Sequence, residues 1–222
     1  MRRVRTIAAV LGVALALTAC GSAADTPSPA PTTTASTPDP LARAAATLAS
    51  YPQLGSSRAS AGGQAVRVGA LGVEVPAGFT DSPEYALEDR AAVWIGPEVP
   101  GSKSADGTST SLMSVTVKVP VEGTWDGVID GTSTSATAIT SRYAFTVPGA
   151  QLAGVAITED SEHAAADSTG EEKVAAQTGP MSTATITVLA DGTRYELIVD
   201  TAPGAAGLEV VRQLAASLSV AS

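Results

Sequence analysis

From about Gln64 onward, apolar side chains recur at every second position. Val66 and Val68 alternate with Ala65 and Arg67, and Leu71, Val73 and Val75 alternate with Gly72 and Glu74, with Gly69 and Gly72 marking a bend. Met113, Val115, Val117 and Val119 alternate with Ser114, Thr116 and Lys118. A period of two places one set of side chains on one face of a pleated strand, so each run reads as a strand half-buried against a core. Ala92 to Ile95 is a short strand, Tyr143, Phe145 and Val147 alternate before Pro148-Gly149, and Val155 and Ile157 continue the series. The strongest hairpin comes late. Thr183 to Leu189 alternates around Ile186 and Val188, and Arg194 to Val199 around Tyr195, Leu197 and Val199. Asp191-Gly192 lies between them, a dipeptide suited to the positive φ of a tight hairpin turn.

After Pro203-Gly204 the period changes. Leu208, Val211, Ala215 and Leu218 form the stripe of one amphipathic helix packed on a sheet. Strands followed by a packed helix predict an α+β fold, mainly antiparallel sheet with a C-terminal helix. The stretch from Thr124 to Thr140 stays ambiguous: Gly127 and Gly131 weaken a helix, and its Thr and Ser content fits a loop.

The N-terminus reads as an address. Arg2, Arg3 and Arg5 precede an apolar run from Ile7 to Leu17, too short to span a ~30 Å hydrocarbon core. Leu17-Thr18-Ala19-Cys20 closes it, with small residues where a secretory signal is cleaved. Three segments follow: 1–19 as signal peptide, 20–63 as tether and 64–222 as the folded domain. Gly21 to Pro40 is rich in Pro, Thr, Ser and Ala, a composition that cannot bury a core. Leu41 to Leu48 has a short helical spacing and is read as a locally helical piece of that linker.

The chain holds one Cys, one His and no Asn, which excludes an internal disulfide and a Cys/His zinc site. Net charge is -9, and without the three arginines of the signal the remainder holds 10 basic and 22 acidic side chains, net -12. So acidic a body argues against nucleic acid as a partner. It also makes acyl chains, rather than electrostatics, the means of holding an anionic membrane.

The tetrapeptide ending in Cys20 resembles the lipobox of bacterial lipoproteins. That resemblance implies diacylglycerol on the Cys20 thiol, cleavage before it, and a lipid-anchored protein on the extracytoplasmic face of the cell membrane. The segment Val73-Glu-Val-Pro-Ala-Gly-Phe79, the turn Asp191-Gly-Thr-Arg-Tyr195 and the helix Leu208 to Leu218 resemble the PsbP-like domain. Actinobacterial lipoproteins of the LpqN type carry that domain behind a similar lipobox and tether. The likeness covers roughly 64–222 and implies an accessory or interaction module, with no shared catalytic motif.

The chemistry points the same way. His163 is the sole candidate for a histidine base, and it sits in the polar run Glu159-Asp-Ser-Glu-His163 with no Gly-x-Ser-x-Gly elbow anywhere. None of Lys103, Lys118 and Lys173 follows a Ser by three residues. Glu159, Asp160, Glu162, Asp167, Glu171 and Glu172 read as a solvated acidic loop rather than paired catalytic carboxylates or an EF-hand. No enzyme activity, cofactor or metal is therefore expected. Trp94 and Trp125 are the candidate binding-surface residues, against a competing role in packing. Two functions remain open: a binding module for an envelope protein or other envelope component, or a carrier of a lipid or other hydrophobic envelope ligand. A deep apolar cavity between helix and sheet would favour the carrier, and a filled core with an exposed groove the module.

Overall fold

The alternating runs become strands in a computed structural model, which describes residues 39–57, 62–104, 110–123, 125, 139–163 and 177–221. A helix, α1 (Pro40–Ala49), comes first. Then follow β1 (Gln64–Val68), β2 (Leu71–Val75), β3 (Thr80–Asp81), β4 (Arg90–Glu98), β5 (Lys103–Ser104), β6 (Leu112–Lys118) and β7 (Val121–Glu122). The chain continues through β8 (Ile139–Ala144), β9 (Leu152–His163), β10 (Gln177–Ala190) and β11 (Thr193–Thr201), and ends with α2 (Ala205–Ser217) and β12 (Ser219–Val220).

The large sheet runs β3-β4-β6-β11-β10-β9-β8, with β5 added beside β10 and β7 beside β11. A small sheet, β1-β2-β12, makes the second layer. All these strand pairs are antiparallel. The expected α+β class is therefore corrected to a mainly β fold: among the described residues twelve strands stand beside two α-helices. The strands outgrow their apolar patterns. Glu159 to His163, expected in a solvated loop, are the last residues of β9, and Thr178 and Gln177 of β10 pair with Glu162 and His163. Backbone N–H and C=O groups pair whatever the side chains are, so a polar run can extend a ladder that an apolar one begins. β4 likewise runs past both ends of Ala92–Ile95.

The core lies between the sheets. Val115 and Val117 of β6, Tyr195, Leu197 and Val199 of β11, Ile186 and Val188 of β10 and Val155 of β9 turn inward, against Leu71, Val73 and Val75 of β2. Val211, Leu214, Ala215 and the C-cap Leu218 bring α2 into the same cluster. Each such aliphatic side chain stabilises the fold by about 1.5–3 kcal/mol through its removal from water.

Three local features fix the sheet and its layers. Asp191 (φ 47°) and Gly192 (φ 72°) both adopt left-handed backbone at the β10–β11 turn, as a type I′ hairpin requires. Gly207 in the first turn of α2 is buried, and a Cβ there would fall 1.8 Å from the carbonyl oxygen of Ala202. The helix can sit this close to the end of β11 only because that position has no side chain. At the other end, the Glu74 N–H of β2 donates to Ser217 Oγ at 3.0 Å, tying the last turn of α2 to the small sheet. Gly207→Ala is expected to destabilise the protein by ~1–3 kcal/mol, since backbone must move to admit the methyl. Ala206→Gly, at an exposed neighbouring position, should cost no more than about 1 kcal/mol. Thermal or urea unfolding of the two variants measures the contrast.

Candidate functional site

Asp39-Pro40 starts α1 for a local reason. The Leu41 N–H donates to Asp39 Oδ1 at 3.1 Å, satisfying one of the free donors of the first turn, and Pro40 lacks the N–H that would otherwise need a partner. The four-residue spacing of Ala44 and Leu48 then puts both on one buried face. They join Trp125, Ala144 and Leu189 in an apolar cluster separate from the main core, with Leu41, Tyr51 and Leu152 at its margin.

The chain then crosses to the large sheet. Ala144 N–H donates to the Pro52 carbonyl at 3.0 Å and Leu54 N–H to the Ala144 carbonyl at 2.9 Å, around a parallel bridge between Gln53 and Ala144. Leu54 is buried in the main core, and its carbonyl accepts from Arg212 Nε of α2 at 2.9 Å. Ser57 donates to Glu209 of the same helix. The folded unit therefore begins ahead of Gln64: residues 39–57, assigned to the tether from composition, pack on the sheet and on α2. The signal was present in the Asp-Pro start and the Leu41, Ala45, Leu48 spacing, but a ten-residue helix is only marginal alone, and its docking depends on partners distant in sequence.

This crossing leaves two shallow clefts that share Gln53, Phe145 and Thr146 as a wall. One, about 240 Å³, lies beside α1 and is lined by Ala45, Leu48 and Ala49 facing Ala144, Val147 and Ala150. The other, about 270 Å³, lies against the end of α2 at Ala215 and Ala216. Both are open to solvent, and neither has a titratable side chain in its lining. Small apolar groups with Gln53, Thr146 and Gln151 at hand can bury an apolar side chain and offer neutral hydrogen bonds.

The residues singled out from sequence are not brought together. Trp94 is 2% exposed and packs in the main core, its indole N–H without a hydrogen-bond partner. Trp125 is 6% exposed, beneath the face of α1 rather than on an open surface. Burial thus decides for the packing role over a binding surface: Trp94 turns inward from β4, and Trp125, outside any strand, packs beneath α1. His163 ends β9, and Glu159 Oε1 accepts the Gly204 N–H ahead of α2 at 3.4 Å. Cys20 lies outside the described residues, as do Asp167, Glu171 and Glu172. Among the described residues no group of three or more His, Cys, Asp or Glu side chains is placed to hold a metal ion. No described helix is long and apolar enough to cross a membrane. Phe145 and the alanines of α1, which line the clefts, were not among the expected site residues, for alanine carries no chemical signal of its own. Comparison with protein-family models and with curated proteins finds no match.

The clearest electrostatic feature lies away from the clefts. Lys118 Nζ sits 2.8 Å from Asp89 Oδ2, with Arg90 Nε 3.9 Å from the other carboxylate oxygen. The hydrogen bond from Lys118 holds the Asp89 carboxyl below the usual carboxylate range, with Coulombic help from Lys118 and Arg90. A carboxylate depressed on folding adds stability above its unfolded pKa, and that stability is lost as pH falls through the folded value. Asp89 is exposed, so the contribution is small. Carboxyl NMR titration should find Asp89 titrating below exposed aspartates, and Lys118→Ala should move it back toward them.

Proposed function

We propose that this protein is a lipid-anchored, extracytoplasmic lipoprotein whose folded part serves as a non-enzymatic binding module of the cell envelope. The observation that carries the reading is Leu17-Thr18-Ala19-Cys20: the only cysteine of the chain stands directly after a basic start, an apolar run and two small residues. Acylation of Cys20 with two chains supplies the stable membrane attachment that one chain does not. The Pro- and Thr-rich residues between Cys20 and α1 then act as the tether. Confinement at the membrane raises the local concentration of a weakly bound envelope partner without any further contact.

The clefts beside Phe145 support a binding role, because their small apolar and neutral polar linings suit docking of a side chain. A binding module is favoured over a lipid carrier because Leu71, Val73, Val211, Leu214 and Ile186 fill the space between α2 and the sheets. An acyl chain placed there would have to displace well-packed side chains.

Fractionation of expressing cells tests the reading. Wild-type chain should remain in the membrane fraction and label with a fatty-acid analogue. Cys20→Ala should lose both the label and the membrane association. Retention of the unlabelled variant in washed membranes would overturn the lipid anchor.

A further inference from the structure

We infer that α1 is a displaceable strap, and that its seat on the sheet is a docking surface for an amphipathic helix of a partner protein. The seat is Ala144, Leu152 and Leu189 with Trp125, the apolar cluster that stands apart from the main core. Three features mark α1 as a lightly held piece of the fold. Only Ala44 and Leu48 of its ten residues are buried. Ten residues form too short a helix to persist in water without a docking surface, so α1 is helical only while seated. The seat is also incompletely filled, since the cleft of about 240 Å³ runs between α1 and the turn joining β8 to β9.

The attachment beyond α1 is of another kind. Pro52 and Leu54 hydrogen-bond to Ala144, Leu54 is buried in the main core, and Arg212 holds its carbonyl. Release of α1 therefore stops at Tyr51–Pro52 and leaves the rest of the fold intact. Local openings of this kind draw on the least buried elements of a structure.

α1 itself defines what the seat accepts. An alanine and a leucine four residues apart enter it, with a second leucine, Leu41, at the margin. Arg43, the one charged residue of α1, is exposed, and the cluster itself is wholly apolar. The occupant that fits in exchange is a helix with small and leucine side chains at that spacing and a bulkier residue to fill the cleft. Helix-in-groove recognition of this type reads anchors at i, i+3, i+4 and i+7. The bound strap lowers the apparent affinity of any such partner by the fraction of time the seat is open. The partner, though not the release of the strap, rests on the binding role proposed above.

Native-state hydrogen exchange on the full chain tests the strap. The amides of α1 should exchange at least 100-fold faster than those of β10 and β11, and equal protection would overturn the proposal. The seat is tested with a fluorescent peptide of the sequence 39–51 and the full-length variant Leu48→Asp, which puts a charge into the apolar cluster. The variant should keep the cooperative unfolding of the sheets and bind the peptide saturably. Wild type should bind it at least tenfold more weakly. Failure of a folded variant to bind, equal binding by both chains, or global unfolding of the variant would each overturn the displaceable strap. None of these readouts depends on acylation of Cys20, so they fail separately from the fractionation experiment.

Discussion

Nine consecutive residue pairs join β10 to β11, from Ser182 opposite Thr201 to Ala190 opposite Thr193. On this register depends which face of the large sheet is apolar. It brings Ala184, Ile186 and Val188 to the same side as Tyr195, Leu197 and Val199, and a slip by one residue would turn one of these sets out to solvent. The Asp191-Gly192 turn sets the register at one end. β6 pairs onto β11 and β9 onto β10, so Val115, Val117 and Val155 take their direction from it. The small sheet and α2 then have a continuous apolar surface to cover.

The opposite face follows a different logic. Thr183, Thr185 and Thr187 of β10 alternate with the inward residues, and Asp200 of β11 accepts from Ser114 and Thr183 Oγ at 2.8 and 2.7 Å. Near Ala144 and Leu189 this side becomes apolar, and there α1 and Trp125 join it. The main cluster and this smaller one, on two sides of one sheet, explain how a chain can have a strongly held interior and a lightly held helix together.

Much of the sheet was legible because period-two alternation is a local signal. The β1–β2 hairpin, β6 and the β10–β11 hairpin lie where the alternation of valines, isoleucines and leucines put them. The helix stripe of Leu208, Val211, Ala215 and Leu218 was legible too, with Gly207 and Leu214 as the buried members it left out. What was missed was pairing without pattern. Glu159 to His163 lie on a strand because β10 runs alongside, and composition alone made them a loop. That difference, multiplied over β4, β9 and β10, turned an expected α+β protein into a mainly β one.

The candidate site was the least legible part, for a related reason. Its walls come from Ala45 and Ala49, from Phe145 and Thr146, and from Ala215 and Ala216, three segments far apart in sequence. Alanines have no chemistry to mark them, and their meaning arises only when the chain crosses from α1 to β8. The tryptophans show the converse: chemically conspicuous, they were candidate surface residues, and packing buried both.

By itself the sequence determined the strand faces, the hairpin turn, the C-terminal helix and the position of the lone cysteine, because each is encoded within a few neighbouring residues. Tertiary structure alone decided where the folded unit begins, which aromatic rings are buried and where the open clefts lie. Those depend on the pairing of distant segments, and the free energy of burial belongs to the two surfaces that meet rather than to either one.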